Sequence, residues 1–206
     1  IGDLTNFERF IHLVALRTGK ILNISDLARD TGISVPTASR WLSVLEASYQ
    51  VFILPPFHAN LSKRLIKSPK IYFGDTALAT YLMGIHDAET LLKGPLLGPL
   101  FETTVVLEHI KLNNLNANRP SMTYFRTKDG TEVDIMIECG TDMYAREIKT
   151  SRTLTSRSAE NLISAEKLLK KSLIKELLAP VEKSFQISKN INVRTWHDVK
   201  LNSNKK

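Results

Sequence analysis

One cysteine is too few for a disulfide framework or a thiolate zinc cluster, and Cys139 stands alone among 206 residues. A reducing, cytoplasmic compartment is therefore the natural expectation. No apolar run approaches the roughly 18 residues that a bilayer span requires, so no membrane partner is expected. The opening IGDLTNFERF has no basic segment followed by an apolar one, which argues against a secretory signal. Its Ile1 in place of Met predicts a fragment of something longer. The histidines (His12, His58, His86, His109 and His197) show no H-x-x-x-H or triad-like spacing and read as structural or exposed. No internal repeat is visible, and no low-complexity tract beyond the Lys/Asn tail.

What is present is the balance of an ordinary globular chain, with 43% hydrophobic and 24% charged residues. Lys and Arg total 28 against 21 acids, a net charge of +7. That excess favours polyanion partners but is equally consistent with a device for solubility.

Residues 5 to 48 read as three helices. The first follows Thr5-Asn6-Phe7-Glu8, carries Phe10, Leu13, Val14 and Leu16 on one face, and stops at Gly19. A short helix, Asp26 to Thr31, is capped by Ser25 and closed by Gly32. A third, with Pro36 at a first helical position, runs to about Ser48. Helix, tight turn and helix, backed by strands at 49–54 and 71–73, make a winged helix-turn-helix domain over residues 1–83. Asp75 is the expected cap of a short helix ending near Met83. Residues 84–97, rich in Gly, Pro and Leu, read as a linker.

From Gly98 the periodicity changes. A helix is expected over 101–114, then strands at 122–127, 131–138 and 143–150, joined by Lys128-Asp129-Gly130 and Gly140-Thr141, both suited to hairpin turns. A long amphipathic helix over about 158–178 and a last strand, 183–187 or 191–196, complete an α-β-β-β-α-β order in residues 98–206. The fold class is thus α+β.

The second hairpin carries the chemistry. If Gly140-Thr141 is a two-residue loop, paired residues have numbers summing to 281, and Asp134 lies opposite Glu147. Side chains alternate, so Glu132, Asp134, Met136 and Glu138 share a face with Met143, Ala145, Glu147 and Lys149. Opposed carboxylates repel, and a divalent cation would relieve that repulsion; hard oxygen ligands suit Mg²⁺ or Mn²⁺. Lys149, on the same face, could orient or help deprotonate a metal-bound water. The competing reading is a solvated charged face, with Glu132 paired to Lys149 and Arg146 neutralising a neighbour.

Asp134 followed by Glu147-Ile148-Lys149 resembles the PD-(D/E)xK nuclease signature, although Val133 replaces its proline. The resemblance implies a restriction-endonuclease-like αβββαβ domain in which Asp134 and Glu147 bind metal and Lys149 is catalytic. It also implies a further glutamate ligand from the first core helix, Glu102, with Glu108 as second choice. LSKRLIKSPKIYFGDTALATY (61–81), GPLFE (98–102) and YFRTKDGTEVD (124–134) are similar to the C-terminal region of a family of prokaryotic AAA-type ATPases. That resemblance implies an N-terminal ATPase domain as partner and admits a homo-oligomer. No G-x-x-x-x-G-K-[S/T] occurs, so no ATP binding is expected of this chain.

For the winged helix the partner expectation is DNA. Thr37, Ser39 and Arg40 lie near the start of the recognition helix, where Arg40 could reach a guanine edge. Lys63, Arg64, Lys67 and Lys70 could meet phosphates. Trp41 reads as core. Two function classes remain open: a metal-dependent DNA nuclease-like module, and a non-catalytic nucleic-acid- or protein-binding or assembly module on the same fold.

Overall fold

A computed structural model describes residues 3–58, 65–117 and 119–198. The chain divides into two compact units, Ile1–Leu54 with Ser68–Thr104, and Pro55–Lys67 with Val105–Lys206. Both units are therefore discontinuous in sequence: a short arm, 55–67, leaves the first unit's sequence and belongs to the second.

The first unit begins with α1 (Leu4–Ala15), the short strand β1 (Lys20–Ile21), α2 (Ile24–Thr31) and α3 (Val35–Ala47). Asp3, Asn23 and Ser34 cap the three helices, each side chain accepting from a backbone N–H three residues on. Such oxygens satisfy amide donors that the first helical turn leaves unpaired. The caps expected at Thr5 and Ser25 thus each fall two residues earlier. Gly32 closes α2 at φ +85°, a conformation that costs glycine nothing. Strands β2 (Val51–Leu54) and β3 (Lys70–Phe73) pair antiparallel, and β1 joins the far side of β3, giving the order β1-β3-β2. Helix α4 (Thr76–Leu82) is capped by Asp75, as expected. The stretch read as a linker contains α5 (Ala88–Lys93). Phe10, Leu27, Trp41, Leu45, Ile71 and Phe73 meet in one core, where Trp41 is 5.2 Å edge-on to Phe7 and 5.5 Å to Phe10.

Helix α6 (Leu97–Leu115) is counted with the second unit from Val105. After it come β4 (Ser121–Arg126), β5 (Glu132–Cys139), β6 (Asp142–Ile148), α7 (Glu160–Leu169), β7 (Ile174–Ala179), β8 (Phe185–Ser188) and β9 (Ile191–Thr195). They build a six-stranded mixed sheet, β4-β5-β6-β7-β9-β8, parallel only in β6-β7-β9. Up to β7 the order is the expected α-β-β-β-α-β. The helix expected to reach residue 178 ends at Leu169, because Lys170 adopts φ +51° and turns the chain into β7. Leu173, Ile174, Leu177 and Leu178 have spacing that fits a helix as well as a strand buried on both faces, and here they are strand. Both later candidates, 183–187 and 191–196, contain strands, with the observed bounds Phe185–Ser188 and Ile191–Thr195.

The arm lies along the outer edge of β4. The Phe57 N–H donates to the Tyr124 carbonyl at 2.6 Å, the Tyr124 N–H to Pro55 at 3.0 Å, and the Ile66 N–H to Arg126 at 2.9 Å. Phe57 and Leu65 are buried in the second core beside Phe125, Val133, Met136, Ala145, Leu162 and Leu177. A bare sheet edge invites pairing with other chains, and the arm covers part of this one.

Candidate functional site

The β5–β6 hairpin turns at Gly140, φ +61°, and its pairs run from Cys139–Asp142 to Ile135–Arg146, all summing to 281. The ladder stops one step short of Asp134 and Glu147. On the other side of β5, Thr123 pairs with Met136 but Phe125 with Val133. Two steps on β4 therefore oppose three on β5, and the extra residue falls within Asp134-Ile135. Such a bulge bends the strand and re-aims a side chain. Instead of forming a cross-strand pair with Glu147, Asp134 turns its Oδ2 onto the Ile148 N–H at 2.8 Å.

Both carboxylates are nearly removed from solvent, Asp134 at 9% and Glu147 at 5% exposure. Glu147 Oε1 accepts from Lys149 Nζ at 2.8 Å and from Asn161 Nδ2, on the first turn of α7, at 3.0 Å. Glu147 Oε2 is buried with no hydrogen-bond partner. Burial, and next the charge of Asp134, raise the Glu147 carboxyl to about 7, against the pull of Lys149 and Asn161. A buried carboxylate oxygen without a donor is costly, and a cation or a proton is what satisfies it. The donor set, two hard carboxylates beside a lysine, therefore fits a divalent ion that keeps most of its waters. Among the described residues no group of three His, Cys, Asp or Glu side chains gathers to hold a metal.

Glu102 is the further metal ligand expected from the first core helix. In the first unit its Oε1 accepts from Lys70 Nζ at 2.8 Å and from the Tyr72 hydroxyl at 2.7 Å. Lys70, expected to meet phosphates, is 2% exposed and committed to that pair. Glu108, the second choice, forms an exposed ion pair with Lys111. Thr37 completes the α3 cap, its N–H on Ser34 Oγ at 3.2 Å; Ser39 is half-buried and Arg40 exposed. Lys67 is exposed and belongs to the arm of the second unit. Lys63 and Arg64 lie outside the described residues.

Residues 97–198 match a family model described as "Domain of unknown function (DUF4143)", and residues 1–89 one described as "Domain of unknown function (DUF8612)". Both matches are to domains of unknown function. The chain is also similar to the uncharacterized proteins Rv2008c of Mycobacterium tuberculosis and Mb2031c of Mycobacterium bovis, each 33% identical over 174 residues. That alignment covers 84% of this chain but only 38% of either relative, so the chain spans about two fifths of their length. No solved structure matches. Among the described residues no helix is long and apolar enough to cross a membrane.

Two features of the second unit escape sequence reasoning. Asn161 is one, because a polar residue opening a helix reads as surface until the partner strand is known. The other is a buried charge cluster. Arg146 Nε donates to Glu176 Oε2 at 2.8 Å, its Nη1 to His109 Nε2 at 2.9 Å, and Arg194 pairs with the second oxygen of Glu176. His109 Nδ1 in turn donates to the Val105 carbonyl at 2.7 Å, which leaves Nε2 as the acceptor for Arg146 and the ring neutral. Burial first, and Arg146 second, hold His109 at about 3. The signal for the cluster lies in the parallel pairing of Arg146 with Glu176, hidden while Glu176 is read as helical.

Proposed function

We propose that the second unit is a metal-dependent phosphodiesterase of the PD-(D/E)xK nuclease type, acting on nucleic acid. The observation that carries this reading is the buried, donorless Oε2 of Glu147 beside Asp134, with Lys149 and Asn161 both holding the other oxygen. Asp134 and Glu147 would hold Mg²⁺ or Mn²⁺, whose charge serves to activate water and to offset the negative charge building on a phosphate. The chain's own residues do the rest. The Ile148 N–H fixes Asp134, and Asn161 with Lys149 fixes Glu147 so that one oxygen stays directed away from protein donors. The Lys149 ammonium favours the ionised form of Glu147, and its partly exposed side chain is the group that orients the attacking water.

The αβββαβ order of the second unit and the similarity to the AAA-type ATPase family support a module that works at the C-terminal end of a longer ATPase. The helix-turn-helix segment of the first unit is then a winged helix offering Arg40 to DNA. The second reading, a non-catalytic binding or assembly module, is favoured by the absence of a third ligating side chain among the described residues. Calorimetric titration with Mn²⁺, followed by an assay of DNA cleavage, decides between them. Binding that disappears in Asp134→Asn and Glu147→Gln, together with Mn²⁺-dependent cleavage, is the result expected. A wild type that binds no Mn²⁺ overturns the catalytic reading.

A further inference from the structure

Between Glu147 and Glu160 the chain has no acid, but it has Lys149, Arg152 and Arg157 together with Ser151, Thr153, Thr155, Ser156 and Ser158. This connection leaves the carboxyl end of β6, where the carboxylate pair sits, and enters α7. It is tied down at several points. Leu154 packs against the second core. Ser151 Oγ donates to the Thr153 carbonyl at 2.8 Å and accepts from the Thr153 N–H at 3.1 Å. The Thr155 N–H donates to Ser158 Oγ at 3.2 Å, one half of a capping box. Arg152 and Arg157, on either side of the anchoring Leu154, are exposed, and neither forms an ion pair among the described residues. A merely solvated face would need neither a fixed backbone nor the exclusion of acids. An acid-free, cationic and hydroxyl-bearing segment also lies where open sheets take their ligands, outside the carboxyl ends of parallel strands.

We propose that the β6–α7 connection seats the sugar-phosphate backbone of a nucleic-acid strand, Arg152 and Arg157 each meeting a phosphate, and leads that strand to Asp134 and Glu147. What happens to the strand there rests on the reading under Proposed function; the binding itself does not. The chemistry fits phosphates because guanidinium groups pair with them bidentately and hydroxyls donate to the remaining oxygens.

The test is fluorescence anisotropy of the whole chain with a labelled random-sequence DNA oligonucleotide, in chelator, across a salt series. The wild type should bind at low salt, with log affinity falling linearly in log salt. The Arg152→Ala/Arg157→Ala double variant should lose affinity on the order of tenfold at low salt. Its salt slope should drop by about one for each arginine removed. Arg152→Lys/Arg157→Lys should recover most of the loss, since lysine still offers a point charge. Unchanged melting temperatures would show that the fold is intact. An unaltered slope in the double alanine variant, or no binding by the wild type at low salt, overturns the proposal. Mn²⁺ titration of the same proteins separates the two readings. Arginine-dependent strand binding without metal binding leaves this inference standing and removes the nuclease; metal binding with an unaltered slope does the reverse.

Discussion

Glu147 is where the energetics of the second unit concentrate. Its carboxyl sits at about 7 rather than 4.5, so the folded chain binds more protons than the unfolded one between those values. Stability therefore falls as pH rises across that window and stays low above it. Glu147→Gln, which removes the charge but keeps an acceptor for Lys149 and Asn161, should raise the metal-free melting temperature at pH 8. The gain should fade below about pH 4.5, where the wild-type carboxyl is protonated in both states. Its size is bounded by the shift, up to about 3 kcal/mol. If the variant instead melts lower at pH 8, Glu147 is a structural partner of Lys149, and no cation is needed to explain it. Asn161→Ala should leave folding within about 1 kcal/mol. It should nevertheless weaken Mn²⁺ binding measurably, because Oε1 then has one donor and the carboxylate can rotate. Unchanged Mn²⁺ affinity in that variant would remove Asn161 from the site.

The hairpin is legible at the scale of elements because its turn residues and its alternation set one register, and a one-residue slip would invert both faces. The bulge at Asp134-Ile135 is not legible: nothing in EVDIMIEC marks which residue is extra, since the choice is made by the partner strand β4. The same holds for β7, whose apolar spacing satisfies a helix until the parallel neighbours β6 and β9 are in place. That misreading hid Glu176 and with it the His109–Arg146–Glu176–Arg194 cluster. Replacing Glu176 by Gln withdraws the carboxylate from a guanidinium that is 2% exposed, and breaking such a buried pair costs about 3–5 kcal/mol. Denaturant unfolding should show that loss, and a change within experimental scatter would mean that the cluster is satisfied by other groups. His109, held neutral at about 3 instead of 6.5, makes the folded state bind fewer protons between those values. Stability should accordingly drop as pH falls through that window. His109→Gln, which cannot charge, should flatten the acid limb of the pH–stability curve.

For the whole molecule the least expected feature is the arm. Composition places a boundary near residue 98, yet residues 55–67 belong to the same unit as the chain from Val105 onward. Short polar stretches that read as loops give no sign of which sheet they border, and here Phe57 and Leu65 decide it by burying their side chains in the second core. Two consequences can be measured. In the full chain, Phe57→Ala and Leu65→Ala should each destabilise the second unit by several kcal/mol, within the roughly 2–5 expected when a buried large side chain is truncated. A fragment of residues 98–206 should fare worse than either variant. It loses both side chains together with the backbone hydrogen bonds to Tyr124 and Arg126, and it bares the outer edge of β4. An unpaired strand edge next to an open apolar hollow is a template for association, so this fragment should melt at lower temperature and scatter light at concentrations where the full chain stays clear. A fragment 98–206 that is monomeric and melts no lower than the second unit of the full chain would show that the arm is an accessory to a sheet complete without it.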